Sequence, residues 1–415
     1  MIRNLARRYR DAFSGVPRNV WIIAFILLVS RSGTMVLPFL AIYCRQELNL
    51  DPSSIGLLLS AYGVGSVVAG LLGGKVTQRL GSIPTQIISL AMATPGYLLV
   101  ATATEIPWLM AALFYLSLGV EMIRPACATA TIEFCDDASQ HTRAFAVNRL
   151  AVNLGMTLGP AIGGFLTLIN YQLLFYANTV STFGALLLTL WFFGWHFKTN
   201  PSPDQSVEKP NNTSAQSPFR DKTFLVFCIL NSLAACVLFQ FLGAYPLYLK
   251  EQFKFQEYQI GLLFAVNTVV IVLFEMVLVS AVAKLPLLRT YAWGQLISCV
   301  GFGILPWAAG FDFFVTALYA IFSMLILTLG EMLTSPLGPA YAASRANPSN
   351  RGNYMGVYAT SFSVAVLIAP LVGMWLYERD PDLVWYLSLI VGGLVFLGLS
   401  VLADRDGNQS SSDAA

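Results

Sequence analysis

The chain has 415 residues, of which 56% are hydrophobic and only 11% are charged. A soluble domain carries roughly 25% charged residues, so this composition excludes a globular protein dissolved in water. The formal net charge of +2 is close to balance, and we expect no nucleic-acid partner.

Runs of about 20 apolar residues recur along the chain, and each can cross the hydrocarbon core of a bilayer as a helix. The alternating pattern of a membrane β-barrel is absent. We therefore predict an all-α polytopic membrane protein with about twelve membrane segments. These segments, called spans 1 to 12, are predicted at 20–43, 53–74, 85–104, 107–134, 144–168, 171–196, 222–249, 257–281, 289–308, 313–336, 354–377 and 383–403.

The distribution of basic residues predicts that both termini are cytoplasmic. Most of the 24 Lys and Arg residues then lie on the inner side, and the outer loops hold Arg45, Lys250, Lys254 and Arg379. No small-residue cleavage site follows span 1, so we expect it to be an uncleaved helix. The predicted organisation is a cytoplasmic tail at 1–19, a six-helix bundle at 20–197, a cytoplasmic linker at 198–221, a second bundle at 222–403 and a cytoplasmic tail at 404–415.

The two halves of the sequence resemble each other in the order of their motifs. Leu118-Gly119 in span 4 matches Leu329-Gly330 in span 10, and Pro160 and Gly163 in span 5 match Pro370 and Gly373 in span 11. Matches that keep their order along the chain indicate a duplication. Two pseudo-symmetric six-helix bundles around a midplane site are the usual plan for alternating access.

Six ionisable side chains lie inside otherwise apolar spans. An ionisable group in hydrocarbon costs on the order of 3 kcal/mol even on the most lenient scale, so such groups usually serve a function. Spans 3, 6, 9 and 12 have none away from their ends, as expected of spans that face lipid. We predict that the six form the substrate path and the proton-coupling groups: Arg31, Glu121, Arg124, Arg149, Glu275 and Glu331.

The sequence leaves alternatives open for several of these residues. Glu121 and Arg124 are three residues apart and share a helix face, so they either neutralise each other as a static pair or act as a switch. In the switch, Glu121 takes up a proton and frees Arg124 or Arg31 to meet substrate. Arg149 either belongs to the path or extends towards the cytoplasmic interface.

Glycines recur at close spacing in span 5. Residues 155–164 read Gly-Met-Thr-Leu-Gly-Pro-Ala-Ile-Gly-Gly, and glycines four apart let a neighbouring backbone approach closely. Pro160 removes one intrahelical hydrogen bond. The segment is either a hinge that bends during gating or a static close-packed crossing. Its hinge residues are Gly155, Gly159, Pro160, Gly163 and Gly164.

These residues resemble the antiporter motif of the major facilitator superfamily, typical of its twelve-helix drug:proton antiporter branch. Residues 74–81, between spans 2 and 3, resemble the superfamily's cytoplasmic loop motif through Gly74, Arg79 and Gly81, with Gln78 in place of the usual Asp. The resemblance covers nearly the whole chain. It implies the major facilitator fold and proton-coupled rocker-switch transport through a cavity lined by spans 1, 4, 7 and 10.

Together these observations predict a secondary active transporter that exports amphiphilic or lipophilic small molecules in exchange for protons. The alternatives are proton-coupled uptake of a small polar metabolite and flipping of a lipid-linked anionic molecule, since three buried Arg residues could hold an anion. No phosphate-binding Gly-x-x-x-x-Gly-Lys-[Ser/Thr] loop is present, and we expect no enzyme, cofactor or metal. The expected location is the inner membrane of a bacterium, as a monomer in the lipid bilayer.

Overall fold

The computed structural model describes residues 15–135, 138–194, 217–282, 284–308, 310–347 and 350–412, and within these ranges the regular secondary structure is helical. In the described part of the first half there are seven α-helices: α1 Arg18–Ser32, α2 Val36–Gln46, α3 Pro52–Leu80, α4 Ser82–Thr102, α5 Ile106–Glu133, α6 Ala138–Leu166 and α7 Gln172–Phe193. Seven form the second half: α8 Lys222–Leu238, α9 Ala244–Glu251, α10 Glu257–Val282, α11 Leu287–Gly303, α12 Phe313–Ser344, α13 Arg351–Arg379 and α14 Leu383–Ser412. Short 3-10 helices lie at Pro218–Arg220, Phe239–Leu242 and Leu305–Ala308.

Aspartates immediately before three helices explain where those helices begin. The Ser54 N–H donates to Asp51 Oδ2 at 2.8 Å, the Phe224 N–H donates to Asp221 Oδ1 at 3.0 Å, and the Phe314 N–H donates to Asp312 Oδ1 at 2.9 Å. Each carboxylate satisfies an N–H group that has no partner within its own helix. Hydrogen bonds from the Ser54 N–H and hydroxyl lower the pKa of Asp51 below its usual value.

Ten helical segments among the described residues are long and apolar enough to cross a membrane. They correspond to all of the predicted spans except spans 5 and 9. Helix α6 has 29 residues, but Arg143, Asn148 and Arg149 interrupt its apolar sequence. Helix α11 has only 17 residues before the chain turns into a 3-10 helix. That these two helices cross the membrane is therefore inferred from the sequence pattern.

Spans 1 and 7, which occupy corresponding positions in the two halves, are both interrupted. Residues 33–35 separate α1 from α2, and their backbone N–H groups form short-range bonds such as Thr34 N–H to Arg31 O at 2.9 Å. In span 7, the 3-10 helix Phe239–Leu242 and Gly243 separate α8 from α9. Interrupted helices at equivalent positions of two repeats are typical of transporter binding sites.

The sequence repeat has matching packing in the two halves. A β-carbon at Gly119 would lie 2.6 Å from the Ala93 nitrogen of α4, and one at Gly330 would overlap the Ser298 backbone of α11. Spans 4 and 10 therefore each use a glycine to approach the preceding span closely. The equivalent glycines make equivalent contacts, which supports the predicted duplication.

By their internal contacts, the described residues form two compact units, 15–39 with 61–194 and 40–60 with 217–412. Within the second unit, Arg45 Nε donates to Glu251 Oε1 at 3.0 Å and the Tyr377 hydroxyl donates to Glu251 Oε2 at 2.9 Å. The segment 40–60 thus packs against residues of the second half. The domain boundaries drawn from the sequence stay a prediction.

Candidate functional site

Four helices of the first unit bring together a group of polar side chains, named here the N-terminal polar cluster: Arg31, Tyr62, Tyr97, Glu121 and Arg124. Arg124 Nε lies 2.7 Å from Glu121 Oε2, and the Tyr62 hydroxyl donates to Glu121 Oε1 at 3.3 Å. The Glu121 side chain is 8% exposed, whereas that of Arg124 is 68% exposed. The carboxylate is therefore fixed between two donors, and the guanidinium extends outward from it.

Arg31 is the most enclosed base of the N-terminal polar cluster. Its residue is 9% exposed, and its Nε has no hydrogen-bond partner among the described residues. It borders a cavity of about 10 Å³, together with Tyr97 and several small polar side chains. These polar neighbours are Ser30, Thr34, Ser89 and Thr182.

The glycines of the antiporter-like motif lie against the interruption in span 1. A β-carbon at Gly155 would lie 2.6 Å from Arg31 Cβ and 2.9 Å from the Ser32 nitrogen, and one at Gly159 would lie 3.1 Å from the Thr34 oxygen. Further along α6, Gly163 faces Met35 in the same way. Because these glycines have no side chains, α6 leaves space for the turn between α1 and α2. Pro160 lies in the same helix.

Glu331 lies in the wall of a cavity of about 250 Å³ in the second unit, named here the Glu331 cavity. Among the described residues that line it, Glu331 is the one acidic or basic side chain. Asn267 Nδ2 donates to Glu331 Oε2 at 3.0 Å and to Thr328 Oγ1 at 2.9 Å. The apolar and aromatic part of the wall includes Val237, Leu238, Phe302, Tyr358 and Phe362.

A chain of buried hydrogen bonds forms the other polar wall of the Glu331 cavity. Gln295 Nε2 donates to the Tyr291 hydroxyl at 2.7 Å, and that hydroxyl donates to Asn231 Oδ1. Asn231 Nδ2 in turn donates to Ser361 Oγ at 2.6 Å. Because buried polar groups must be satisfied, this network holds α8, α11 and α13 in one arrangement around the cavity.

Two of the six predicted site residues lie elsewhere. Neither cavity is lined by Arg149, which is exposed on α6, or by Glu275, which is half-buried on α10. Exposed apolar side chains flank Glu275, including Phe274 and Met276. The structure thus brings Arg31, Glu121 and Arg124 into one cluster and gives Glu331 a cavity of its own.

The loop motif has one conformational requirement. Gly81, between α3 and α4, has a φ of +95°, which residues with a side chain rarely adopt. Arg79 is exposed near the end of α3, and a β-carbon at Gly74 would meet open space. The final glycine of the motif therefore has a clear physical reason, which the sequence alone did not give.

Sequence reasoning did not identify several residues of these sites, namely Tyr62, Tyr97, Asn231, Tyr291 and Gln295. Asn231 and Gln295 are amides inside apolar spans, and this signal could have marked them. Tyrosines are common in membrane spans, so the two bonded hydroxyls, of Tyr62 and Tyr291, could be found only from their contacts.

The membrane-length helices, the two interrupted spans and the buried charges define a polytopic membrane protein of the secondary transporter class. A family model for the Major Facilitator Superfamily matches residues 20–243 and 227–414. The chain belongs to the Major Facilitator Superfamily. It is a multi-pass membrane transporter of small molecules and not an enzyme, and the predicted fold class is confirmed.

Known proteins of similar sequence include two bacterial transporters. The chain is 25% identical to a Na(+), Li(+), K(+)/H(+) antiporter of Planococcus maritimus, over 91% of this chain and 94% of the relative. It is 22% identical to the quinolone resistance protein NorA of Staphylococcus aureus, over 90% and 93%. A crystal structure of a POT family transporter in complex with a thioalcohol conjugated peptide superposes with a TM-score of 0.79 at 15% identity, covering 96% of this chain and 98% of that one.

Proposed function

We propose that this protein exports amphiphilic small molecules in exchange for protons, with Glu331 as the group that binds both in turn. The observation that carries this proposal is a carboxylate in the wall of an otherwise uncharged, largely apolar cavity. Such a cavity suits a compact molecule with an apolar body and a positively charged or polar end. Its volume of about 250 Å³ accommodates a small molecule or one end of a larger one.

Exchange follows from the charge of the carboxylate. An ionised Glu331 attracts the positive end of a substrate, and the Asn267 amide supports that ionised form with a hydrogen bond. A protonated Glu331 is neutral and loses this attraction. Because either a proton or a substrate satisfies the carboxylate, binding of one favours release of the other.

The similar proteins support proton exchange and drug export as the finer function. One is named as a cation/proton antiporter and another as a quinolone resistance protein. We infer a location in the cytoplasmic membrane of a bacterium, with both termini inside. The interruption of span 1 against the span 5 glycines supplies a place where the helix can bend during the transport cycle.

A second candidate function is proton-coupled uptake of a small polar metabolite. Arg31 and Arg124 in the N-terminal polar cluster favour it, because they could hold an anionic group of such a solute. In the Glu331 cavity, by contrast, the one charged side chain is acidic. We therefore rank export of amphiphiles first, with uptake and the flipping of a lipid-linked anion as alternatives.

The proposal is tested by thermal unfolding of the purified protein with a panel of amphiphilic cations, neutral amphiphiles and anionic metabolites at an acidic and an alkaline pH. A bound ligand raises the unfolding temperature by mass action. We expect amphiphilic cations to stabilise the protein, and more strongly at alkaline pH, where Glu331 is more often ionised. Stabilisation by anionic metabolites alone would instead favour the second candidate.

A further inference from the structure

The interruption of span 1 places a buried base beside a small cavity. Arg31 is the penultimate residue of α1, and α2 begins at Val36 after a three-residue turn. Thr34 of that turn and Arg31 both line the small cavity of the first unit. The positive charge of Arg31 therefore borders an enclosed polar space.

The nearby carboxylate is committed to other groups. Glu121 pairs with Arg124 through Oε2 and accepts the Tyr62 hydroxyl through Oε1. Arg31 is 9% exposed, and its Nε has no hydrogen-bond partner among the residues that the structure describes. A buried donor of a charged group is costly to leave unsatisfied. A mobile anion would thus satisfy the buried positive charge of Arg31.

The cavity walls suit an anion of small size. Hydroxyl-bearing side chains line it, namely Ser30, Thr34, Ser89, Tyr97 and Thr182. The Ser89 hydroxyl already donates to Gly119 O, and the other hydroxyls can donate to an anion. No acidic side chain is among the lining residues in the described part of the chain. The volume of about 10 Å³ leaves room for roughly one water-sized atom. The fitting group is a halide ion or one oxygen of a carboxylate.

We propose that Arg31 binds a small monovalent anion in this cavity. The anion is either free chloride or the carboxylate of a solute that the protein carries. Binding neutralises Arg31 and stabilises the turn at residues 33–35. The site lies in the first unit and does not involve Glu331. Failure of this proposal would therefore leave the coupling role proposed for Glu331 unaffected.

The test is a chloride titration of the full-length purified protein, followed by thermal unfolding at constant ionic strength with methanesulfonate as the replacing anion. We expect a saturable rise in unfolding temperature with chloride and little change with methanesulfonate, whose three-oxygen head group is too large for the cavity. Arg31→Gln should weaken the apparent affinity at least about tenfold, because a charged hydrogen bond is lost. Arg18→Gln, an exposed base on the same helix, should leave the titration unchanged.

A parallel titration with acetate in chloride-free buffer distinguishes the two sources. A response to chloride alone assigns the site to a free halide, and a response to acetate that chloride competes with assigns it to a carboxylate. If Arg31→Gln fails to fold, the same titration of Arg31→Lys decides, and a weaker saturable response supports the site. Equal responses to chloride and methanesulfonate, or a response that the Arg31 variants do not alter, would overturn the proposal.

Discussion

Glu331→Gln is expected to reduce transport driven by a pH gradient to background in membrane vesicles, a loss of at least about a hundredfold as for other proton-transferring side chains. The amide has nearly the same size as the carboxyl group and can still bond to Asn267, so the cavity should keep its shape. It cannot take up or release a proton. The measurement is uptake of a labelled amphiphile, identified by the unfolding screen, into inverted vesicles with an imposed pH gradient.

Two controls separate lost coupling from lost folding. Glu105→Gln makes the same change at an exposed carboxylate before α5, where no side-chain cap bond is formed, and should transport like the natural protein. Exchange of labelled for unlabelled substrate, which needs no net proton movement, should persist in Glu331→Gln at raised substrate concentration, because the neutral amide binds a cationic substrate more weakly. Transport by Glu331→Gln at the natural rate would remove this carboxylate from the coupling step.

Glu121→Gln is expected to lower both transport and stability, because it leaves the charge of Arg124 without its partner 2.7 Å away. Adding Arg124→Gln removes the unmatched charge, so the double variant should regain stability. The coupling free energy between the two positions should fall within about 0.5–3 kcal/mol, the usual range for residues in one ion pair. Thermal unfolding of the four proteins in the cycle measures it.

Transport by the same four proteins decides between the two roles that the sequence left open for this pair. The Arg124 guanidinium extends outward, whereas the Glu121 carboxylate is buried and held between Arg124 and Tyr62. We therefore expect the double variant to stay inactive although it is stable, as a switch requires. Transport by the double variant at the rate of the natural protein would instead indicate that Glu121 and Arg124 form a static pair and only neutralise each other.

The fold could be predicted from composition and apolar run length, because hydrocarbon allows few solutions other than helices. The charges of spans 4 and 10 could also be found, since an ionisable residue in an apolar run stands out. The i, i+3 spacing correctly anticipated that Glu121 and Arg124 meet. These successes all depend on information local to one helix.

The features that the sequence did not reveal depend on packing between helices. The apolar pattern continues on both sides of residues 33–35, so the main local signs of the interruption of span 1 are Gly33 and Pro38. The position of Gly155 against Arg31 joins residues far apart in the sequence. Likewise, the Glu331 cavity is built from α8, α11, α12 and α13, and one sequence cannot show which of their side chains converge.

Proton release on ligand binding tests most directly whether Glu331 exchanges a proton for substrate. The purified protein in weakly buffered detergent solution is mixed with a stabilising amphiphile, and a pH indicator dye follows the proton concentration. We expect the natural protein to release protons as it binds the ligand. Glu331→Gln, which binds a cationic ligand more weakly, should release none even when ligand saturates it. Equal release by both proteins, or binding by the natural protein with no release at any pH, would show that Glu331 does not exchange a proton for substrate.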